Sequence, residues 1–334
     1  MKLPHFIALL GLLAAYTVNA APAQCNYQLL VSFPVKFQDL TLSVEGSING
    51  NSADMIVDTG ADLGTLTRDA ANRLGLKLIP LSGHSYGFGG EAKTYKTMVD
   101  EIVLGPWKFQ KQVMMVSDDV LPHHDALIGA KFLLQSDLEM SMRTQELKMF
   151  RPENCKDAFL AYWDANAQDI PLEKAPVGDP RPVVMVELNG KKLRALVDSG
   201  MQVSAINLAA AAKLGVTPQT EGVVEEGHVA GLGKQEVKRW RAKFQSFAIG
   251  GETIKNPQIT MFDMFGAAKS DSDRTGDIIF DDEEADMVLG ADFLRAHHVL
   301  FAVSQRRFYF SYLGGNVFDL SAMGVPSADP MATH

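Results

Sequence analysis

Asp58-Thr59-Gly60 and Asp198-Ser199-Gly200 repeat one pattern 140 residues apart in the 334-residue chain. Two carboxylates held within a few ångströms cannot both ionise cheaply, so they hold one proton between them. The ionised member of such a pair can take a proton from water, and the protonated member can give one to an amide carbonyl oxygen. That chemistry hydrolyses an amide without a metal and without a covalent intermediate. A single D-[ST]-G tripeptide is common by chance; two copies in matching surroundings are not.

The surroundings do match. Each Asp is entered by an apolar run, Met55-Ile56-Val57 and Ala195-Leu196-Val197, and each has Asn-Gly nine residues before it, Asn49-Gly50 and Asn189-Gly190. Asn-Gly is the favoured two-residue hairpin turn. Helical stretches Asp69 to Leu74 and Ala209 to Leu214 follow, each closing on Leu-Gly. Then come His84-Ser85-Tyr86-Gly87-Phe88-Gly89 and His228-Val229-Ala230-Gly231-Leu232-Gly233. Last in each half are Leu127-Ile128-Gly129-Ala130-Lys131-Phe132-Leu133 and Val288-Leu289-Gly290-Ala291-Asp292-Phe293-Leu294, two apolar residues, a glycine and a short helix. Phe33-Pro34-Val35 and Ile170-Pro171-Leu172 extend the correspondence. Landmarks in one order identify a duplicated domain. Short apolar runs between Gly and Pro turns (Leu29 to Val31, Leu40 to Val44, Met98 to Leu104, Val113 to Val116, Phe244 to Ile249, Gln258 to Phe262) indicate an all-β fold with few helices.

At these residues the chain resembles the clan of pepsin-like and retroviral-type aspartic proteases, over roughly residues 30 to 312. Each half has about the size of a retropepsin subunit and carries its own glycine-rich flap, so the retropepsin-like form fits better. The resemblance implies two β-barrel lobes related by a pseudo-twofold axis, a first at 26–150 and a second at 169–320; the polar run at 151–168, with a helical patch around Ala158 to Trp163, reads as the connection between them and residues 1–20 as a signal peptide. It implies an aspartic endopeptidase with Asp58 and Asp198 as the dyad, and Thr59 and Ser199 holding the halves in register through the opposite loop's backbone. Gly60 and Gly200 let backbone approach the substrate, and Gly87, Phe88, Gly89, Gly231, Leu232 and Gly233 cover an extended peptide. Phe88 and Leu232 at the flap tips suggest apolar residues beside the cleaved bond. No cofactor and no metal are required, and one chain holds both carboxylates, so the expected active unit is a monomer. Met201 stands where the family has Ala, as Ala61 does in the first half. With the unequal halves, it supports an alternative: a catalytically silent periplasmic peptide-binding or regulatory protein that keeps the cleft for recognition or regulation.

Net charge of -9 supplies no basic stripe to track phosphates, which argues against nucleic acid. Lys2, an apolar run from Phe6 to Ala15 and Val18-Asn19-Ala20 read as a secretory signal peptide, with an uncleaved anchor as the alternative. The mature chain is then periplasmic or secreted with no membrane span. Cys25 and Cys155 flank the first half, and export favours a bridge between them; two unpaired thiols are the alternative.

Other residues have plainer readings beside functional ones. His84 and His228 recur before each flap, as a pH-sensitive gate or as hydrogen-bonded hairpin residues. His123-His124 and His297-His298 fall at non-equivalent places, which disfavours a metal site. Asp281-Asp282-Glu283-Glu284 and Asp286, at the end of a Ser-, Asp- and Gly-rich insertion from Gly266 to Glu284, read as a solvated loop rather than a cation site. Asp62 opposite Lys131, and Gln202 opposite Asp292, are candidates for a polar brace between catalytic loop and helix.

Overall fold

Each Asn-Gly pair makes the turn its residue types require. Asn49 and Gly50 have φ of 50° and 78°, Asn189 and Gly190 of 51° and 73°, the doubly positive pattern of a tight hairpin turn. Strand Thr41–Ile48 thereby folds back onto Asn51–Val57, and Val183–Leu188 onto Lys191–Val197. The Asn side chains then work at long range. Asn49 Oδ1 accepts from the Asp100 and Glu101 amides at 2.9 and 3.0 Å, and Asn189 Oδ1 from those of Gln245 and Ser246 at 2.7 and 3.3 Å.

The computed structural model describes residues 24–81, 85–118, 123–174, 178–229, 231–267, 269–270 and 285–318. The expected signal segment, His84, Asp281 to Glu284 and most of the Gly266 to Glu284 insertion lie outside the described residues. The fold is mostly β with short helices, in two lobes. In the first, strands Thr41–Ile48, Asn51–Val57, Ala126–Ile128, Thr65–Thr67, Trp107–Ser117 and Thr94–Leu104 pair in that order, and the last returns to the first, closing a barrel. The second lobe repeats the ring with its long hairpin interrupted: Val237–Lys243 and Ser246–Ile249 occupy the course of the single strand Thr94–Leu104, and Glu252–Lys255 and Gln258–Phe262 that of Trp107–Ser117. The strand expected from Phe244 to Ile249 therefore begins at Ser246. Phe244 and Gln245 lie outside it because the Phe244 amide turns to Pro257 O.

Helices Arg68–Arg73 and Leu208–Lys213 follow the loops after each D-[ST]-G. Thr67 caps the first, its hydroxyl accepting from the Ala70 amide at 3.1 Å. Gly75 and Gly215 (φ 64° and 79°) end the two helical turns in the left-handed conformation.

A six-stranded sheet joins the lobes. Asn26–Pro34, Glu146–Glu153 and Asp137–Ser141 come from the first half, and His297–Ala302, Arg307–Tyr312 and Gln168–Pro171 from the second. The halves meet where Leu138 pairs with Phe301 and Met140 with Val299. Pro34 and Pro171 end the two outer strands, as Pro must where a ladder stops, and Val35 and Leu172 then donate equivalently to Gln145 O and Arg306 O at 2.9 Å. One face of the sheet joins the continuous core through Leu138, Leu147, Phe301, Phe308 and Phe310.

The connection covers the other face, and it is not helical. Residues 154–167 run as successive turns. The reason is that consecutive residues all reach the sheet: Leu160 and Ala161 are buried, Tyr162 donates to Glu139 at 3.1 Å, and Trp163 stacks on His298 at 4.1 Å. A helix would turn half of them to solvent. Gln305 holds the turns by donating to Cys155 O and, at 2.8 Å, to Ala158 O. Cys25 and Cys155 form a disulfide beyond the end of the Asn26–Pro34 and Glu146–Glu153 ladder.

Candidate active site

Asp58 and Asp198 each stand at the C-terminal end of a barrel strand. Their amides donate to Ile128 O at 3.0 Å and Leu289 O at 2.9 Å, on the short apolar strands that run parallel beneath. Each of these strands ends in a glycine for a steric reason. A Cβ on Gly129 would fall 2.6 Å from Leu63 C, and one on Gly290 would fall 2.6 Å from Met201 O. Because the crossing is this close, Ala130 and Ala291 both donate at 2.7 Å to loop carbonyls, Ala61 O and Met201 O.

Thr59 and Ser199 interlock the two loops. Thr59 Oγ1 donates to Val197 O and Ser199 Oγ to Val57 O, both at 2.7 Å. Each hydroxyl also accepts the opposite amide, Ser199 N to Thr59 Oγ1 at 3.0 Å and Thr59 N to Ser199 Oγ at 3.1 Å. Both residues are fully buried. Ser199→Ala leaves one buried amide and one buried carbonyl without partners, at about 1–3 kcal/mol each. Denaturant unfolding is therefore expected to show a loss of roughly 2–4 kcal/mol; a loss below about 1 kcal/mol would mean that the loops do not need the interlock.

The carboxyls lie against one another. Asp58 Oδ1 accepts from Gly60 and Ala61 amides at 2.9 Å, and Asp198 Oδ1 from Gly200 and Met201 amides at 2.8 and 3.1 Å. The two side chains are close enough that each acts on the other's ionisation. Burial pushes both above the ordinary carboxylate range, and the Asp198 charge adds to the effect at Asp58. The loop amides oppose the shift without cancelling it. Gly60 and Gly200 have a role not expected from the sequence: a Cβ on either would overlap the opposite carboxyl. They make room for the partner acid. Met201 repeats the backbone bond of Ala61, and its side chain turns into an apolar cluster of the second lobe.

The two expected braces differ. Lys131 pairs with Asp62 at 2.8 Å. Gln202 accepts the Asp292 amide on its backbone carbonyl at 3.1 Å, but its side chain does not reach Asp292 and donates across the lobes to Asp39 O at 2.9 Å and Thr41 Oγ1 at 3.2 Å. Asp292, buried, instead accepts Ser204 N, Ser204 Oγ and Phe293 N, at 2.8, 2.5 and 2.8 Å. Arg181 was missed in sequence. It chelates Asp179, with Nε donating at 2.9 and 3.0 Å and Nη2 at 2.6 Å, and its charge reaches Asp62 and Asp198. The only signal for it was the Asp179-Pro180-Arg181-Pro182 run before the second lobe's first strand.

The glycine-rich hairpins meet tip to tip. Gly89 bridges Gly233; Gly89 N donates to Leu232 O, and Gln235 N to Gly89 O, both at 2.9 Å. Gly87 lies against Leu232, and Gly231 against Phe88. All six expected flap residues are thus brought together. Three histidines of the two His-His pairs have partners: His124 with Asp54 at 3.0 Å, His297 with Phe293 O at 2.7 Å and Glu252 at 3.0 Å, and His298 with Glu139 at 3.0 Å. Among the described residues no group of three or more His, Cys, Asp or Glu could hold a metal ion, and no helix is long and apolar enough to cross a membrane.

Comparisons with known proteins bear on the fold and the family. An aspartic proteinase from Irpex lacteus is similar in structure over 86% of this chain and 97% of its own, with a TM-score of 0.50 and 14% identity, a likeness that shows the two-lobed fold. A retropepsin-like aspartic protease from Rickettsia conorii aligns over 39% of this chain and 99% of its own, with a TM-score of 0.29 and 18% identity. No curated protein sequence matches. The family model described as aspartyl protease matches twice, at residues 44–132 and 184–293, once on each D-[ST]-G loop with the barrel around it. The chain belongs to the aspartyl protease family.

Proposed function

We propose that the protein is a single-chain aspartic endopeptidase in which Asp58 and Asp198 activate one water against a peptide bond. The observation that carries this reading is the approach of the Asp58 carboxyl and the buried Asp198 carboxyl across the Thr59–Ser199 interlock. With one proton between them, the ionised carboxylate takes a proton from water as it attacks the carbonyl carbon. The other donates to the carbonyl oxygen as the tetrahedral intermediate forms. Collapse of that intermediate breaks the C–N bond, with a proton passing to the leaving amine. The titration belongs to the pair, so neither Asp is assigned the acid or the base. An extended peptide lies between the loops and the tips at Gly87, Phe88, Gly89, Gly231, Leu232 and Gly233, held by main-chain hydrogen bonds. Residues 1–20 direct export, which suits the Cys25–Cys155 bond, and the mature monomer is the active unit.

The pH dependence follows from the direction of the shifts. The reactive form holds one proton, so activity falls as pH rises past the upper ionisation of the pair. Burial places that limb above the ordinary carboxylate range. Cleavage of a mixed peptide pool is expected to be strong near about pH 5 and weak near about pH 9. It should be indifferent to a chelator and first order in protein. Activity climbing steadily into alkali, or lost with chelator, sinks the reading. Peptide binding without cleavage at every pH would favour the silent binder.

A further inference from the structure

We propose that residues 156–167 form a strap over the interlobe sheet, held shut by the Glu139 carboxylate and released by acid. The strap is anchored at both ends, at Cys155 by the disulfide and at Gln168–Pro171 by pairing with Arg307–Tyr312. Between these anchors, Leu160 and Ala161 make an apolar contact with Leu300 and Tyr309. The polar hold runs through Tyr162 and Trp163. Tyr162 donates to Glu139 Oε1 at 3.1 Å. Trp163 donates from Nε1 to Ser311 Oγ at 3.2 Å and stacks on His298, whose Nε2 lies 3.0 Å from Glu139 Oε1.

One oxygen atom thus gathers three parts of the chain. Tyr162 comes from the strap, His298 from the second lobe, and Lys148, donating at 3.1 Å, from the strand beside Glu139. Glu139 is 2% exposed, and its Oε2 has no hydrogen-bond partner. In so buried a place the negative charge is what makes these hydrogen bonds strong. The other ionisable groups facing it are Glu146, which shares Lys148 at 3.1 Å, and Asp137 and Tyr27 in the same buried patch.

Burial pushes Glu139 up, but the His298, Tyr162 and Lys148 donors outweigh it and hold the carboxyl below its usual range. Such a group contributes stability that is full above the unfolded value, about 4.3. That contribution is lost as pH falls through the folded value. Asp137 has the opposite sign: burial raises it, so acid favours its folded form. Protonating Glu139 leaves the strap with its anchors, the Trp163 contacts and the apolar contact. The strap then lifts from Leu300 and Tyr309, and a tie between the lobes goes with it. The clasp lies at the seam of the lobes and does not depend on the chemistry of Asp58 and Asp198.

The test reads Trp163 fluorescence in full-length protein carrying Trp107→Phe and Trp240→Phe, with trypsin cleavage after Lys156 as a second readout. Trp163 emission is expected to change reversibly below about pH 4, while far-ultraviolet circular dichroism holds. Glu139→Gln should show the released emission already at pH 7, and be cut after Lys156 at least about 10-fold faster. Tyr162→Phe keeps the charge and loses one donor, so it should move the acid midpoint up by about 0.5–1 unit. This second variant keeps the test decisive if Glu139→Gln does not fold. Emission unchanged down to about pH 3, or an unshifted midpoint in Tyr162→Phe, overturns the proposal. So does a folded Glu139→Gln that matches the unsubstituted protein in emission and cleavage at pH 7.

Discussion

Asp58→Asn and Asp198→Asn are each expected to cut peptide hydrolysis by about 10²–10⁴-fold in kcat, the range for removing a positioned acid or base. Either substitution fixes the charge and proton count at one position, so the pair can no longer both accept and donate. Each amide fits the loop, because an Asn side-chain oxygen can accept the same two backbone N–H groups that now point at each Asp Oδ1. Stability should move the other way. A carboxyl whose ionisation is raised on folding contributes stability that is full below the unfolded value, about 4, and is lost as pH rises through the folded value. Asp58→Asn removes that loss, so its Tm should exceed that of the unsubstituted protein near neutrality and the gap should close as pH falls toward about 4. A steady-state assay with both variants, beside thermal unfolding at several pH values, checks the two halves of this expectation. Near-normal turnover in either variant would dismiss the dyad.

Opening the Cys25–Cys155 bond is the second large effect. The bridge closes a loop with a sequence separation of 130. In the chain-entropy account a loop of that length is worth about 4–5 kcal/mol. It also lies just past the Asn26–Glu153 pair, the last of the ladder between an outer strand and its neighbour. Without it that end frays first, and with it goes one side of the sheet that joins the lobes. Cys25→Ser with Cys155→Ser should lower Tm by roughly 10 °C at the few degrees per kcal/mol of a domain this size. A fall of only a degree or so would show that the ladder holds without the covalent tie.

Much of this architecture can be read in the chain because it is locally encoded. The Asn-Gly turns, the helices after each D-[ST]-G and the Ile128-Gly129 and Leu289-Gly290 crossings all depend on residue types within a few positions. The interlobe sheet is not encoded in that way. Nothing local in Asp137–Ser141 identifies His297–Ala302 as its partner, and the pairing exists only because both barrels bring these strands to one seam. The connection misled by composition: alanines and an aromatic pair suggest a helix, yet docking on Glu139 and His298 sets the backbone. Gly60 and Gly200 signalled close approach correctly, but the approaching group is the opposite acid. The different fates of Gln202 and Asp62 were equally hidden, since both sit at the same place after their Asp. Their partners come from Asp39–Thr41 in one case and from Lys131 in the other.

The seam between Asp137–Ser141 and His297–Ala302 has an evolutionary corollary. Cut within the connection, either half would end in a bare antiparallel edge whose natural complement is a near copy of itself. Such an edge favours isologous pairing, and two identical halves joined there would bring like loops face to face, Asp58 with its own duplicate. Fusion of two ancestral copies would then have freed each half to diverge, which is what Ala61 and Met201, or Lys131 and Asp292, record.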